Sequence, residues 1–457
     1  MADLARDATL GPRIVVIGEG RLVGVIRRAL DDIDAHVIAL RAPNDREIRR
    51  ALTPAVDAVV VVSRDDRIAL RLALVVEGVR PGVRLVVTIY DRDLGEQLRR
   101  AVRNVRVMSM ADIVAPALAG PCLDEQLIAV SRSGDGPRAV RAGADGPTLG
   151  ALRSDGGRLG RSVLSNATAL LHPFELSAKT LMAGLLGLIA LLVIDATVIG
   201  ITLHERAIDA VHLATRAIVG VGPNTAIEHG PDWLKTFASA TMLAALALSA
   251  VFTAGLINRL LDRRLVAIVG RRAMPRRDHV VVIGLGQVGL RLCLMLRELG
   301  IPVVAVELDP EADNVRWAKQ YGIPVVIGGG ESRAVLCRMR LDHARSLAAV
   351  TSDEIENISM VVAALALRED LPTLLRAGSG DVMDETRALF RVGVVRDVYM
   401  IGGTLLAAAA LGSQADEAFM YDDAVYVTGV DGAVASFDEH ALAMQEARRN
   451  DGGCGGS

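Results

Sequence analysis

The chain has 457 residues, enough for two to four domains at ~100–200 residues each. Hydrophobic residues make up 51% and the mean hydropathy is +0.36, which excludes an intrinsically disordered chain. The excess sits in two runs, which also excludes a purely soluble protein. A net charge of −3 and 3% aromatic residues argue against a nucleic-acid partner, which needs a basic surface or stacking platforms.

The first 13 residues lack an apolar core, so no cleaved signal peptide is expected. Arg13–Ile17 then reads as a buried strand, followed by the turn Gly18-Glu19-Gly20-Arg21-Leu22-Val23-Gly24 and a second strand at His36–Leu40. Ala58–Val62 and Leu85–Ile89 complete a short sheet. The turn resembles a dinucleotide fingerprint, but Val23 stands where the third glycine belongs. Arg41 occupies the place of the acid that accepts from ribose hydroxyls. Two readings stay open for this lobe (1–120): a structural copy without a ligand, or a site tolerant of a ribose phosphate. A small β segment of two strands is expected over 121–140, then a Gly/Arg/Ser-rich linker over 141–175.

Residues 180–203 contain one charge, Asp195, and residues 236–258 contain none. A bilayer core needs ~20 apolar helical residues, and both runs supply them, so 176–264 is read as the membrane domain. Four basic residues lie in 153–179 and seven in 259–277, against three basic and four acidic residues in the loop 204–235. This bias places both termini in the cytoplasm and the loop outside. An intramembrane carboxylate costs about 2.5–3.5 kcal/mol on insertion scales, so Asp195 should face a helix interface, a wet vestibule or the outer surface. His212 and Arg216 are its candidate partners. Within the loop, Ala207–Ala217 has helical propensity but is too short to span, and Ile218-Val219-Gly220-Val221-Gly222-Pro223 follows.

The run from His279 to Pro310 carries the second fingerprint. Val280–Ile283 is a buried strand, Gly284-Leu285-Gly286-Gln287-Val288-Gly289 the turn, Pro302–Val306 a second strand, and Glu307 ends it. Glycines let the backbone approach a pyrophosphate, the helix N-terminus adds N–H groups, and Glu307 can accept from ribose. Strands at Pro324–Ile327, Ser346–Thr351 and Thr373–Arg376 extend an α/β Rossmann-like lobe over 278–412. The strand at Pro324–Ile327 has no counterpart in the first lobe. Another small β segment with helix follows at 413–449, then a disordered tail at 450–457. The whole reads as an internal duplication with a membrane hairpin between the copies. Cys122, Cys293, Cys337 and Cys454 are scattered, so neither a metal site nor a disulfide framework is expected.

Two resemblances follow from these motifs. Span, short helix, glycine-containing segment and span resemble the two-span pore unit of potassium channels, whose filter reads Thr-Val-Gly-Tyr-Gly-Asp. Val219, Gly220 and Gly222 match it, while Ile218, Val221 and Pro223 depart from it. The alternative for this segment is an ordinary extracellular loop. The runs IGLGQVG, VELDP and Val350-Thr351-Ser352-Asp353, with Asn357, resemble the regulator-of-potassium-conductance domain of the Trk-type nucleotide-binding family. This implies NAD(H) or an adenine nucleotide held by Gly284, Gly286, Glu307, Thr351 and Arg376, with the rest of the Gly284–Gly289 turn. Gly329-Gly330 replaces the family's Gly-Asp.

Together the resemblances imply a non-enzymatic, homotetrameric cation channel in the cell membrane, with potassium or another monovalent cation in the pore and nucleotide control from cytoplasmic lobes. A non-conducting membrane-tethered sensor or a subunit of a potassium uptake system is the alternative. An NAD-dependent oxidoreductase would need an acid/base, for which His343 is the one loop histidine of the second lobe.

Overall fold

A computed structural model describes residues 11–133, 136–143, 146–152, 176–204, 206–219, 229, 231–261, 275, 277–376, 391–429 and 432–453. They fall into two compact units, one from Met1–Val163 with Met274–Ser457 and the other Leu164–Ala273. The first unit therefore joins both α/β lobes.

The N-terminal lobe runs β1 (Arg13–Ile17), α1 (Arg21–Asp31), β2 (His36–Leu40), α2 (Asp45–Ala51), β3 (Ala58–Val61), α3 (Asp66–Val79), β4 (Arg84–Thr88), α4 (Arg92–Ala101), β5 (Val105–Met108) and α5 (Met110–Leu123). Its five strands are parallel in the order β2-β1-β3-β4-β5. Parallel sheets are covered on both faces, which is why these strands are continuous apolar runs. Val15, Val16, Val59, Val60, Leu85 and Val86 are all fully buried. The antiparallel strands β6 (Leu127–Ser133), β7 (Gly136–Gly143) and β8 (Gly146–Ala151) follow. The small β segment thus has three strands and not two. Its third strand takes residues 146–151 from the expected linker, whose portion 153–175 lies outside the described residues.

The second unit holds α6 (Leu176–Leu203), α7 (Ala207–Val219) and α8 (Asp232–Leu261). Gly184–Leu203 and Asp232–Ala254 are long and apolar enough to cross a membrane. Leu186, Val193, Ile194 and Ile201 on α6 and Leu243 and Leu246 on α8 stay exposed, as lipid-facing side chains do. The helices touch where Gly184 meets Phe252 and Gly187 meets Leu248. Ala210 and Ala214 of α7 are buried with Ile199 of α6 and with Leu234 and Ala238 of α8.

The C-terminal lobe runs β9 (His279–Ile283), α9 (Gln287–Glu298), β10 (Val303–Glu307), α10 (Asp313–Gln320), β11 (Val325–Ile327), α11 (Arg333–Arg338), β12 (Ala344–Ala349), α12 (Glu354–Leu365), β13 (Thr373–Arg376), β14 (Val394–Arg396) and α13 (Val398–Leu411). Its parallel order is β11-β10-β9-β12-β13-β14, the frame of the first lobe plus β11. An antiparallel β15 (Glu417–Tyr421), β16 (Ala424–Thr428) and β17 (Val434–Ser436) and then α14 (Phe437–Gly453) complete the unit. This second small sheet also has three strands. The helix continues four residues into the expected disordered tail, of which 454–457 lie outside the described residues.

The lobes exchange their last helices. Helix α5 packs on α9 and the C-terminal sheet, and α13 packs on α1 and on β3 and β4. Both are apolar on every side and almost wholly buried, as expected for a helix between two layers. Gly403 makes the fit possible, because a Cβ there would lie 2.6 Å from Val25 Cγ1.

Candidate functional site

The C-terminal ends of both parallel sheets open into one cleft of about 1360 Å³, between the two lobes of the first unit. Ligands of open α/β sheets bind at these strand ends. From the C-terminal lobe it is lined by Gly284, Gly286, Gln287, Val288, Glu307, Gly328–Gly330, Thr351 and Arg376, and from the N-terminal lobe by Gly18–Leu22, Arg41, Arg64 and Thr88.

The fingerprint glycines do different work. Gly284 has φ +94, and a Cβ on it would press on Thr351 N at 2.9 Å. Gly289 lets helix meet turn, since its Cβ would lie 1.9 Å from the Gly284 carbonyl oxygen. Around Gly286 nothing lies within 4 Å, so its face is open to whatever enters the cleft. Gln287 is exposed beside it, whereas the Leu285 side chain is buried in the core. Leu285 N–H donates to Glu307 Oε2 at 2.8 Å, so this predicted contact residue offers a ligand neither side chain nor amide.

Glu307 is fixed from both sides. Its Oε1 accepts from Leu308 N–H at 2.8 Å and Asp309 N–H at 3.2 Å, and the carboxylate retains lone pairs toward the cleft. Thr351 is similarly occupied. Its N–H donates to Asn357 Oδ1 at 2.9 Å, and its hydroxyl accepts from Asp353 N–H at 3.2 Å. Buried Asn357 also donates to the carbonyls of Thr351 and Arg376, tying the ends of β12 and β13 together. Thr351 and Asn357 therefore shape the rim. Gly330 lies against Ile283 and Met360, and a Cβ on it would sit 2.4 Å from Ile283 Cγ2. An aspartate has no room there, and Glu331 is the acid that lines this end of the cleft.

Two contributors, Arg21 and Tyr399, were invisible to sequence reasoning because they come from distant segments. Arg21, at the start of α1, forms ion pairs with Glu354 and with Asp397, the latter at 3.0 Å. Tyr399, at the start of α13, has the Arg21 and Arg376 guanidinium carbons 5.4 and 5.7 Å from its ring centre. Arg21, Tyr399 and Arg376 thus form a stacked bridge across the cleft from lobe to lobe. A side chain aimed at another domain leaves no local pattern to find.

Residues 280–394 match the family model described as the TrkA-N domain. This lobe is a TrkA-N domain. The chain is similar to potassium channel protein 1 of Methanocaldococcus jannaschii, 23% identical over 147 residues, 31% of this chain and 43% of the relative. It is also similar to the voltage-gated potassium channel Kch of Escherichia coli, 22% identical over 143 residues, 31% of this chain and 34% of the relative. The chain thus spans less than half the length of these curated relatives. Among solved structures, the GsuK channel aligns over 88% of this chain and 64% of its own, at 14% identity and a TM-score of 0.49. The TrkA-N match ends at β14, so α13, which carries Tyr399, lies beyond it.

In the second unit Asp195 is buried at the contact of α6 with α8, where the Thr241 hydroxyl donates to its Oδ1 at 3.3 Å. The partner given to it here is Thr241, where the sequence offered His212 or Arg216. Helix α7 runs through Ile218 and Val219, two residues past the expected end, so both lie in its last turn. Gly220, Val221, Gly222 and Pro223 are outside the described residues.

Proposed function

We propose that this protein is a ligand-gated cation channel subunit in which nucleotide binding to the TrkA-N lobe controls a pore built from α6, α7 and the segment ending at Pro223, with α8 as inner helix. The observation that carries the reading is the cradle at the C-terminal lobe: an open Gly286 face, a helix N-terminus, and a Glu307 whose orientation three backbone amides fix. It supports binding of NAD(H) or an adenine nucleotide, with pyrophosphate over Gly284–Gly289 and ribose hydroxyls at Glu307. Names of the partly matching relatives favour potassium as the permeant ion. In this reading four copies bring Gly220 and Gly222 together around an axis, where carbonyl oxygens replace the ion's hydration shell. The charge bias supports an orientation with both termini in the cytoplasm. No bond is made or broken in the cleft; it binds and reports.

A ligand shifts only an equilibrium whose states it distinguishes. Here the distinction lies in the interlobe bridge, because a nucleotide near Arg376 alters the stack with Tyr399 and Arg21. The change passes to α8 through the chain that joins it to β9. The end of α7 favours a second reading, since Ile218 and Val219 are helical: a membrane-tethered sensor that does not conduct. Cation flux into liposomes carrying the purified chain tests the proposal. Nucleotide-dependent flux is expected, and protein that binds nucleotide yet passes no cation under any ligand would leave the sensor.

A further inference from the structure

The two lobes can be matched residue by residue through strand register. Ile17 pairs with Leu40 and Val61 as Ile283 pairs with Val306 and Ala349. One residue past these partners stand Arg41, just after β2, and Glu307, the last residue of β10. Three residues beyond β3 and β12 stand Arg64 and Ser352, and the next position in each lobe, Asp65 and Asp353, caps the following helix. The first lobe has thus exchanged an acid for a base at the ribose position and added a second base two strands over, on the far side of β1.

Both arginines line the cleft and are exposed, and among the described residues neither has a hydrogen bond or ion pair. The carboxylates around them are largely committed. Asp65 accepts from Arg67 and Ile68 N–H, Asp66 from Tyr90 and Asp91 N–H, and Asp45 pairs with Arg71 at 2.9 Å. Glu19, at the tip of the turn, is exposed and is the remaining acid at this end. The turn itself is intact where a ligand would approach: Gly20 has φ +89 with nothing within 4 Å of an added Cβ. Packing alone does not require a glycine there, though its backbone conformation does. Val23 replaces only the glycine whose counterpart, Gly289, serves helix–turn contact.

Adjacent strands lie about 4.8 Å apart, so the ends of β2 and β3, flanking β1, are about 10 Å apart, within joint reach of two arginines closing on one phosphate. A cleft of about 1360 Å³ exceeds the roughly 300–1,000 Å³ of single small-molecule sites and leaves room for two occupants. We propose that the N-terminal lobe is a second nucleotide site, selective for a nucleotide with a phosphomonoester on its adenosine ribose, and that Arg41 and Arg64 select that phosphate. Glu307 repels the same group, so the two ends of the cleft choose different ligands.

Calorimetric titration of the full chain in nanodiscs with NADP+ and, separately, NAD+ tests this. NADP+ should bind at least tenfold more tightly than NAD+ at the N-terminal lobe. Arg41→Glu should weaken NADP+ by about 10–100-fold while leaving NAD+ binding at the C-terminal lobe unchanged. Arg41→Lys should retain most of the affinity, and Glu307→Ala should weaken NAD+ but not NADP+. Arg41 is exposed, so an unchanged melting temperature confirms that the two Arg41 variants remain folded. Equal affinity for the two nucleotides, NADP+ binding indifferent to Arg41→Glu, or displacement of NADP+ by an equal concentration of inorganic phosphate would overturn the proposal. The NAD+ titration separately reads the C-terminal site, so either site can fail without the other.

Discussion

Replacing Glu307 by Gln changes the volume hardly at all and removes one acceptor. Both carboxylate oxygens now serve backbone amides, Oε2 taking Leu285 N–H and Oε1 taking those of Leu308 and Asp309. A carboxamide has one oxygen, so its NH2 group must face a donor on one side or the other. If the oxygen keeps Leu308 and Asp309, Leu285 N–H loses its acceptor in a part-buried place; the reverse leaves two exposed amides to water. An unsatisfied buried donor costs about 1–3 kcal/mol, and partial exposure puts this case near the low end. Loss of about 1–2 kcal/mol from the turn proposed to receive the nucleotide corresponds to roughly 5–30-fold weaker binding. Glu307→Ala frees all three amides and should cost more. Calorimetric titration with NAD+ on the full chain reads the effect directly. Binding of the Gln variant within about twofold of the parent would refute the view that Glu307 organises the cradle.

Other perturbations probe the frame. Gly403→Ala puts a Cβ 2.6 Å from Val25 Cγ1 and should destabilise the first unit by about 1–3 kcal/mol. Adding Val25→Ala should return much of this in thermal unfolding, and strictly additive effects would contradict the helix exchange. His279 is fully buried with Nε2 2.8 Å from the Met339 carbonyl oxygen, and burial lowers its pKa below the ordinary 6.5. The unfolded chain therefore binds the proton first as pH falls, so stability should fall below pH 6.5 and level off above it. A His279→Gln variant with the same pH slope would remove the assignment. Burial pushes the Cys122 thiol up to about 12 and raises that of Cys293, while Cys337 is exposed. Maleimide labelling followed by peptide mass spectrometry should modify Cys337 at once and the other two only on unfolding. Rapid labelling of Cys122 would show that α5 is not packed between the lobes.

The lobes were legible because parallel strands buried on both faces leave unbroken runs such as RIVVI and HVVVI, which alternate with amphipathic helices. Short edge strands were not: VRVM at β5 and VVR at β14 carry an arginine in place of a run, and pairing rather than composition makes them strands. The third strands of the small sheets, PTLG within β8 and VAS at β17, failed to register for the same reason. Glu307 stood out through its spacing from the glycines. Leu285 was included with the same turn, although its side chain belongs to the core and its amide to Glu307. Arg21 and Tyr399 meet across some 380 positions of sequence, a juxtaposition set by helix exchange and not by any local motif. The shared cleft was hidden likewise, since each half reads as a complete site.

Currents across planar bilayers containing the purified chain, recorded while NAD(H) or ADP is added to the side facing the lobes, address the central claim most directly. The account predicts cation currents whose open probability changes with nucleotide concentration and shifts to higher concentration in Glu307→Gln. Currents that ignore nucleotide in the parent, or respond identically in the variant, would contradict it.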